Sequence, residues 1–227
     1  VMTTATQLTQ HELSVLRGLG QRIAEIGQSQ AMEEKRRLWR KLNRREAERP
    51  MLIVEAFGVG DELYSTFTYE CESTFGRSIE HGLRHRLYHH EILGDDTLVD
   101  AHISYPHVVH TTNYGVEAVK HKGDDGAGHG SYTWEPALKS LDDVDKLVFR
   151  EFSYDAEATA RNRAALEEIF DGILPVVNRS WHFWTQGLTI VAIDLIGLEE
   201  FMMAMYDDPD GLHRLMAFLR DDHQRAL

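Results

Sequence analysis

Two short apolar runs decide what this chain can fold into. Met51-Leu52-Ile53-Val54 lies between Pro50 and the Gly58/Gly60 pair, and Ile173-Leu174-Pro175-Val176-Val177 follows the Asp171-Gly172 stop. Such runs are too short for a helix, and their unbroken apolar character suits strands covered on both faces, with Pro175 tolerable near a strand start. A strand of that kind needs a layer on each side. The rest of the sequence supplies helices, because apolar residues recur at three- and four-residue steps over 9–26, 31–48 and 74–93. Helical segments also fit 140–148, 155–170, 185–196, 198–206 and 208–227. Thr9-x-x-Glu12 reads as a capping box, Pro50 and Gly94-Asp95 as stops, and Asp155 and Asp208-Pro209 as starts. Further strands are expected at 97–104, which alternates, and at 107–112 beyond Pro106. Residues 115–131, rich in Gly, Asp and Lys, are expected to form an exposed loop or hairpin. Strands alternating with helices argue for an α/β fold on a parallel sheet or barrel.

Composition narrows the function classes. Of 227 residues, 42% are hydrophobic, enough to bury a core and exclude intrinsic disorder. Lys and Arg number 24 against 37 Asp and Glu, a formal charge of −13, which argues against nucleic acid as a bulk partner. One stretch runs the other way: residues 33–49, EEKRRLWRKLNRREAER, hold eight basic residues and four Glu. They suit a solvated helix with Glu/Arg pairs and Leu38, Trp39 and Leu42 turned inward, or a surface for an acidic partner. The single cysteine, Cys71, rules out an internal disulfide and a Cys-based zinc site, and makes a reducing cytoplasm the default compartment. The apolar stretch 188–198 is interrupted by Asp194 and spans about 11 residues, short of the roughly 20 a bilayer needs. The opening VMTTATQLTQ lacks the regions of a signal peptide.

Three blocks carry a resemblance. Trp39-Arg40-x-x-Asn43 leads to Arg49-Pro50-Met51-Leu52-Ile53, and Ile79-Glu80-x-x-Leu83-Arg84 leads to Leu93-Gly94-Asp95-Asp96. A late block reads GLTIVAIDLIGLEEFMMAMYDDPDGLHRLMAFLRD. Over about residues 36–225 this order resembles the uroporphyrinogen decarboxylase-like superfamily of (β/α)8 TIM barrels. The resemblance implies an N-terminal helical extension over 1–50, then the N-terminal part of such a barrel over 51–227. A (β/α)8 barrel takes about 250 residues, so an incomplete barrel is expected, as a truncated product or one that a second chain completes.

The superfamily divides into true uroporphyrinogen decarboxylases and methyltransferases linked to corrinoid proteins, coenzyme M or folate. True decarboxylases carry Met-Arg-Gln-Ala-Gly-Arg after the first strand. Here the stretch is Val54-Glu55-Ala56-Phe57-Gly58-Val59-Gly60-Asp61, without either arginine, and Glu55 is the wrong charge for a polyanionic porphyrinogen. The chain therefore looks more like the methyltransferases, which implies methyl transfer between a small methylated substrate and a corrinoid protein or similar acceptor. Uroporphyrinogen decarboxylation is the alternative, and a non-catalytic binding or assembly module the second. Corrinoid and zinc are the cofactors the resemblance implies for a full-length protein, although no zinc ligand set can be read in this segment.

In such a barrel the reactive groups sit at the carboxyl ends of the strands. That placement selects Glu55, His102 and His182 as catalytic candidates, and His107, Asn178, Arg179 and Trp184 as substrate-binding ones. Each has an alternative. Glu55 could be a hydrogen-bonded carboxylate organising its loop, and His182 part of an aromatic cluster with Trp181 and Trp184. Arg179 suits an anionic ligand, or a structural pair with Glu55 or Asp194. His81, His85 and His89 recur at four-residue steps, about 200° from the stripe of Ile79, Leu83 and Leu87, and are expected on a solvated or interface face without metal. Asp194 is expected to pair locally or reach the active face, and Met202, Met203, Met205 and Met216 to fill core.

Overall fold

The computed structural model describes residues 8–56, 59–122, 132–180 and 187–226. In chain order the helices α1 (Gln10–Gly27), α2 (Gln30–Asn43), α3 (Gly60–Tyr64) and α4 (Thr74–Tyr88) come first, and α4 runs on as a π-helical turn, His89–Leu93. Next come β1 (Ile103–Tyr105), β2 (Val109–Thr111), β3 (Val119–Lys122), β4 (Tyr132–Glu135), a 3-10 turn (Leu141–Lys146) and β5 (Phe152–Tyr154). Then follow α5 (Ala156–Phe170), β6 (Val176–Asn178), α6 (Leu188–Ile196), α7 (Leu198–Asp207) and α8 (Pro209–Ala226). They form two compact units, Val1–His107 with Ala156–Ser180, and Val108–Asp155 with Trp181–Leu227. No helix among the described residues is long and apolar enough to cross a membrane.

The architecture is α/β, with three two-stranded sheets among the described residues. β1 and β6 are parallel, Ile103 facing Val176 and Tyr105 facing Asn178, while β2 with β5 and β3 with β4 are antiparallel. The described strands pair only two by two, and no (β/α)8 barrel is shown among them.

In the first unit α1 starts as its capping box dictates. Thr9 accepts from the Glu12 N–H through its hydroxyl, and Glu12 returns a carboxylate to the Thr9 N–H at 2.8 Å. Leu16, Leu19 and Ile23 then line up at helical spacing and pack with Phe75, Ile79 and Leu83 of α4 and Leu166, Ile169 and Phe170 of α5. The two N-terminal helices thus share the core of this unit. α1 lies so close to α5 that a Cβ at Gly20 would come within 2.8 Å of the Phe170 ring. α2 keeps Leu38, Trp39 and Leu42 half-buried, and Trp39 Nε1 donates to the Asp96 carbonyl. Its basic residues are met from within: Arg37 bridges Glu34 and Glu48, and Arg40 pairs with Glu33.

Residues 51–54 do not form the doubly buried strand expected of them. The segment is extended, but Leu52 is 65% exposed and Ile53 49%. Its backbone bonds end on side chains: the Leu52 N–H donates to Asp96 Oδ2 and the Val54 N–H to Asp95 Oδ2, while the Asp96 N–H donates to the Leu52 carbonyl. Residues 70–73 follow the same rule. Glu80, fully buried, accepts from the N–H groups of Glu70 and Cys71, and Glu12 accepts from those of Glu72 and Ser73.

In the second unit the 3-10 turn, α6, α7 and α8 enclose Leu141, Val144, Leu195, Phe201, Leu215 and Leu219. Of the exposed loop or hairpin expected over 115–131, residues 119–122 form β3, which pairs antiparallel with β4, and residues 123–131 lie outside the described residues; neither β4 nor β5 has a counterpart among the expected strands. Met202, Met203 and Met205 are not core filler: all three are exposed, because α7 turns only Phe201 and Ala204 inward, while Met216 is half-buried against the core. Asp222 is fully buried on α8 and accepts from the Arg150 N–H at 2.8 Å and from Arg150 Nε at 2.7 Å. Arg150 in turn stacks over Tyr114 and Phe152.

Asp222→Ala leaves the Arg150 guanidinium without its carboxylate, and a loss of about 3 kcal/mol is expected in denaturant unfolding. Acid unfolding checks the carboxylate-bound backbone. Donation from Thr9 N–H, then from Ser73, outweighs burial and lowers the Glu12 pKa from 4.5 to about 2. Its contribution is therefore complete above about pH 4.5 and lost as the pH falls towards 2. Glu12→Gln should lower stability at neutral pH and flatten the stability-against-pH curve across that interval.

Candidate functional site

The parallel pair β1 and β6 ends in a polar group. Past Tyr105 and Asn178 the chains stay joined, as the Arg179 N–H donates to the Tyr105 carbonyl at 2.9 Å and the His107 N–H to the Ser180 hydroxyl at 3.1 Å. Asn178 Nδ2 reaches the same Tyr105 carbonyl at 3.4 Å. The Arg179 guanidinium lies 3.7 Å from Asp100, in front of β1, which also faces Arg36 at 4.0 Å. His102 is half-buried beside them. Burial lowers its pKa, Asp100 opposes that shift, and the charges of Arg179 and Arg86 add to it, so the ring is neutral at pH 7. Arg86 donates to the carbonyls of Asp100 and His102 and pins the turn that carries both.

Three expected site residues, His107, Asn178 and Arg179, therefore follow the β1/β6 pair, whereas His102 precedes β1 and lies at its amino end, not at the carboxyl end expected of it. Asn178, Arg179 and His107 are exposed at its carboxyl end. Glu55 is elsewhere. It lines an open cavity of about 400 Å³ with Ile53, Val54, Tyr64, His85 and His89, a wall that includes none of the other four. Glu55 is exposed and has no partner among the described residues, and Arg179 faces Asp100 instead. His182 and Trp184 lie outside the described residues.

The cavity holds residues expected above on a solvated or interface face. His81 is exposed, but His85 is half-buried and His89 buried, because α3 and residues 53–56 cover that side of α4. Tyr64 of α3 donates to or accepts from His85 Nε2 at 2.9 Å and packs its ring against Phe67, Tyr88 and His85. The π turn closes through Gly94 N–H to the His89 carbonyl, with Gly94 at φ 62°, and brings Asp95 back to His89. His89 Nδ1 and Asp95 Oδ2 are 3.0 Å apart, with side chains 6% and 1% exposed. π turns inside helices recur at functional sites.

Asp194 is exposed on α6, has no partner among the described residues, and lines a second-unit cavity of about 770 Å³ with Tyr114, Val191 and Leu195. Among the described residues no three His, Cys, Asp or Glu side chains are grouped to hold a metal ion, so the zinc centre implied by the resemblance has no ligand set there. In comparisons with known proteins, no family model, no curated protein and no solved structure matches this chain.

Cys71 is fully buried, and burial, aided by the neighbouring Glu80 carboxylate, raises its thiol pKa to about 12. Alkylation at pH 8 should be negligible in the folded protein and rapid in denaturant, as followed by intact mass; fast labelling without denaturant would contradict the placement.

Proposed function

We propose that this chain is part of a uroporphyrinogen decarboxylase-like (β/α)8 barrel that moves a methyl group between a small methylated substrate and a corrinoid protein or similar acceptor. The observation that carries the reading is the parallel pairing of β1 with β6, with α5 leading into the second strand. A strand, a helix and a parallel strand are the repeating unit of such barrels, and substrates meet the carboxyl ends of the strands. His107, Asn178 and Arg179 occupy those ends.

The charges favour methyl transfer over porphyrinogen decarboxylation. A polycarboxylate substrate needs several uncommitted guanidinium groups, yet Arg86 is bound to two carbonyls, Arg84 to Glu70 and Glu80, and Arg49 to Asp96. Arg179, two-thirds exposed and held by Asp100 only at 3.7 Å, is the cation best placed to turn towards an anionic group of the substrate. His102, neutral at pH 7, supplies a proton acceptor beside it. The exposed Leu52 and Ile53 favour a second reading, a module that docks another chain through this segment.

The protein is to be incubated with Co(I) corrinoid protein and a panel of methoxy and methylamine donors, following methylcobalamin by its absorbance. A donor that yields methylcobalamin is expected, with kcat/KM reduced about tenfold or more in Arg179→Ala. No signal across the panel, or turnover of uroporphyrinogen instead, counts against methyl transfer.

A further inference from the structure

The cavity on the face of α4 carries an inference beyond the methyl-transfer reading, and Asp95 fixes its chemistry. Asp95 Oδ2 accepts from the Val54 N–H at 3.0 Å, the Thr97 hydroxyl at 2.8 Å and His89 Nδ1 at 3.0 Å, and Oδ1 accepts from the Thr97 N–H at 3.0 Å. Burial opposes ionisation of this carboxyl, but the four donors together hold its pKa below the ordinary value. An ionised carboxylate only accepts, so His89 Nδ1 carries the proton of this bond, and Nε2 takes no part in it.

Several donors around the cavity are thereby committed. The Val54 N–H, the Thr97 hydroxyl and His89 Nδ1 all end on Asp95, and one hydrogen bond joins Tyr64 and His85. No Lys or Arg lines the wall. The two cations attached to the Asp95-Asp96 turn are committed, Lys35 to the Asp95 carbonyl and Arg49 to the Asp96 carboxylate. The wall also offers acceptor and apolar surface: His89 Nε2, the Glu55 carboxylate, which has no partner among the described residues, the Tyr64 ring, and the side chains of Ile53, Val54 and Ala56. About 400 Å³ is within the range of small-molecule sites.

We propose that this cavity binds a small organic ammonium ion, a protonated alkylamine of a few carbons. Its N–H groups bond to His89 Nε2 and Glu55, its charge is balanced by Glu55 and the Tyr64 ring face, and its alkyl body covers Ile53 and Val54. Asp95 is the positioning residue that fixes the His89 tautomer.

Titrating ¹⁵N-labelled protein at pH 7.5 with n-propylammonium chloride tests the assignment through the Val54 and Thr97 amide signals and the His89 ring nitrogens. Saturable shifts at these positions are expected. Propionate, with a similar skeleton and opposite charge, should leave them in place, and tetramethylammonium, which has no N–H, should bind at least about tenfold more weakly. Glu55→Gln, at an exposed position, should retain the far-UV spectrum and weaken propylammonium about tenfold. Absent shifts, propionate or tetramethylammonium binding as tightly as propylammonium, or unchanged affinity in Glu55→Gln, overturns the proposal.

Discussion

Carboxylates stand where neighbouring strands would be in the first unit. Glu12, Glu80, Asp95 and Asp96 together receive the backbone N–H groups of residues 70–73 and of Leu52, Val54 and Thr97. An extended segment without a paired strand leaves donors that cost free energy wherever water is excluded. A carboxylate meets several at once, and the charge makes each bond stronger than one to a carbonyl. Each carboxylate also ties its segment to a helix. Glu12 fastens residues 72 and 73 to the start of α1, Glu80 fastens 70 and 71 to α4, and Asp95 and Asp96 fasten 52–54 to the turn after α4. The wall of the Glu55 cavity follows from that last pair of attachments.

The same substitution explains where the sequence was readable. Helix starts rest on local chemistry, so Thr9-x-x-Glu12 located α1 to within a residue, Asp155 and Asp208-Pro209 located the starts of α5 and α8, and the 3- and 4-residue period over 74–93 found α4. Residues 51–54 have the composition of a central strand, but composition does not say whether the neighbour is a strand or a pair of aspartates. β5 escaped because Phe152-Ser153-Tyr154 is too short to show a period. The π turn escaped because the period of 74–93 continues through it with only a small change of phase.

Candidate site residues divide in the same manner. His107, Asn178 and Arg179 were legible because each follows a short apolar segment, and the end of a strand is a position in sequence as well as in space. Glu55 was legible on those grounds, but its companions were not. The phase of His85 and His89 set them opposite the buried stripe of α4, which is correct, and solvation followed only if nothing else covered that face. α3 covers it. Its five residues, Gly60–Tyr64, carry no cap and too little length for a helical pattern to register. A signal was present in Asp95-Asp96 after Gly94: two adjacent acids behind a helix stop leave open which backbone or imidazole donors they serve.

The first unit is assembled from two separated stretches, and this orders events during synthesis. Arg17 on α1 donates to the Ile169 carbonyl, 152 residues further on, and the Phe170 ring occupies the space beside Gly20. β1 likewise awaits β6. As the chain emerges, α1 and α4 can meet early, but the side of their core that α5 covers stays open until Leu166, Ile169 and Phe170 are made. Closing so long a loop is entropically costly and slow. During that interval Leu16, Leu19 and Ile23 form an uncovered apolar stripe of the kind that chaperones hold and that aggregates recruit. During synthesis the core of the first unit can therefore close only after the segment that interrupts it has been made.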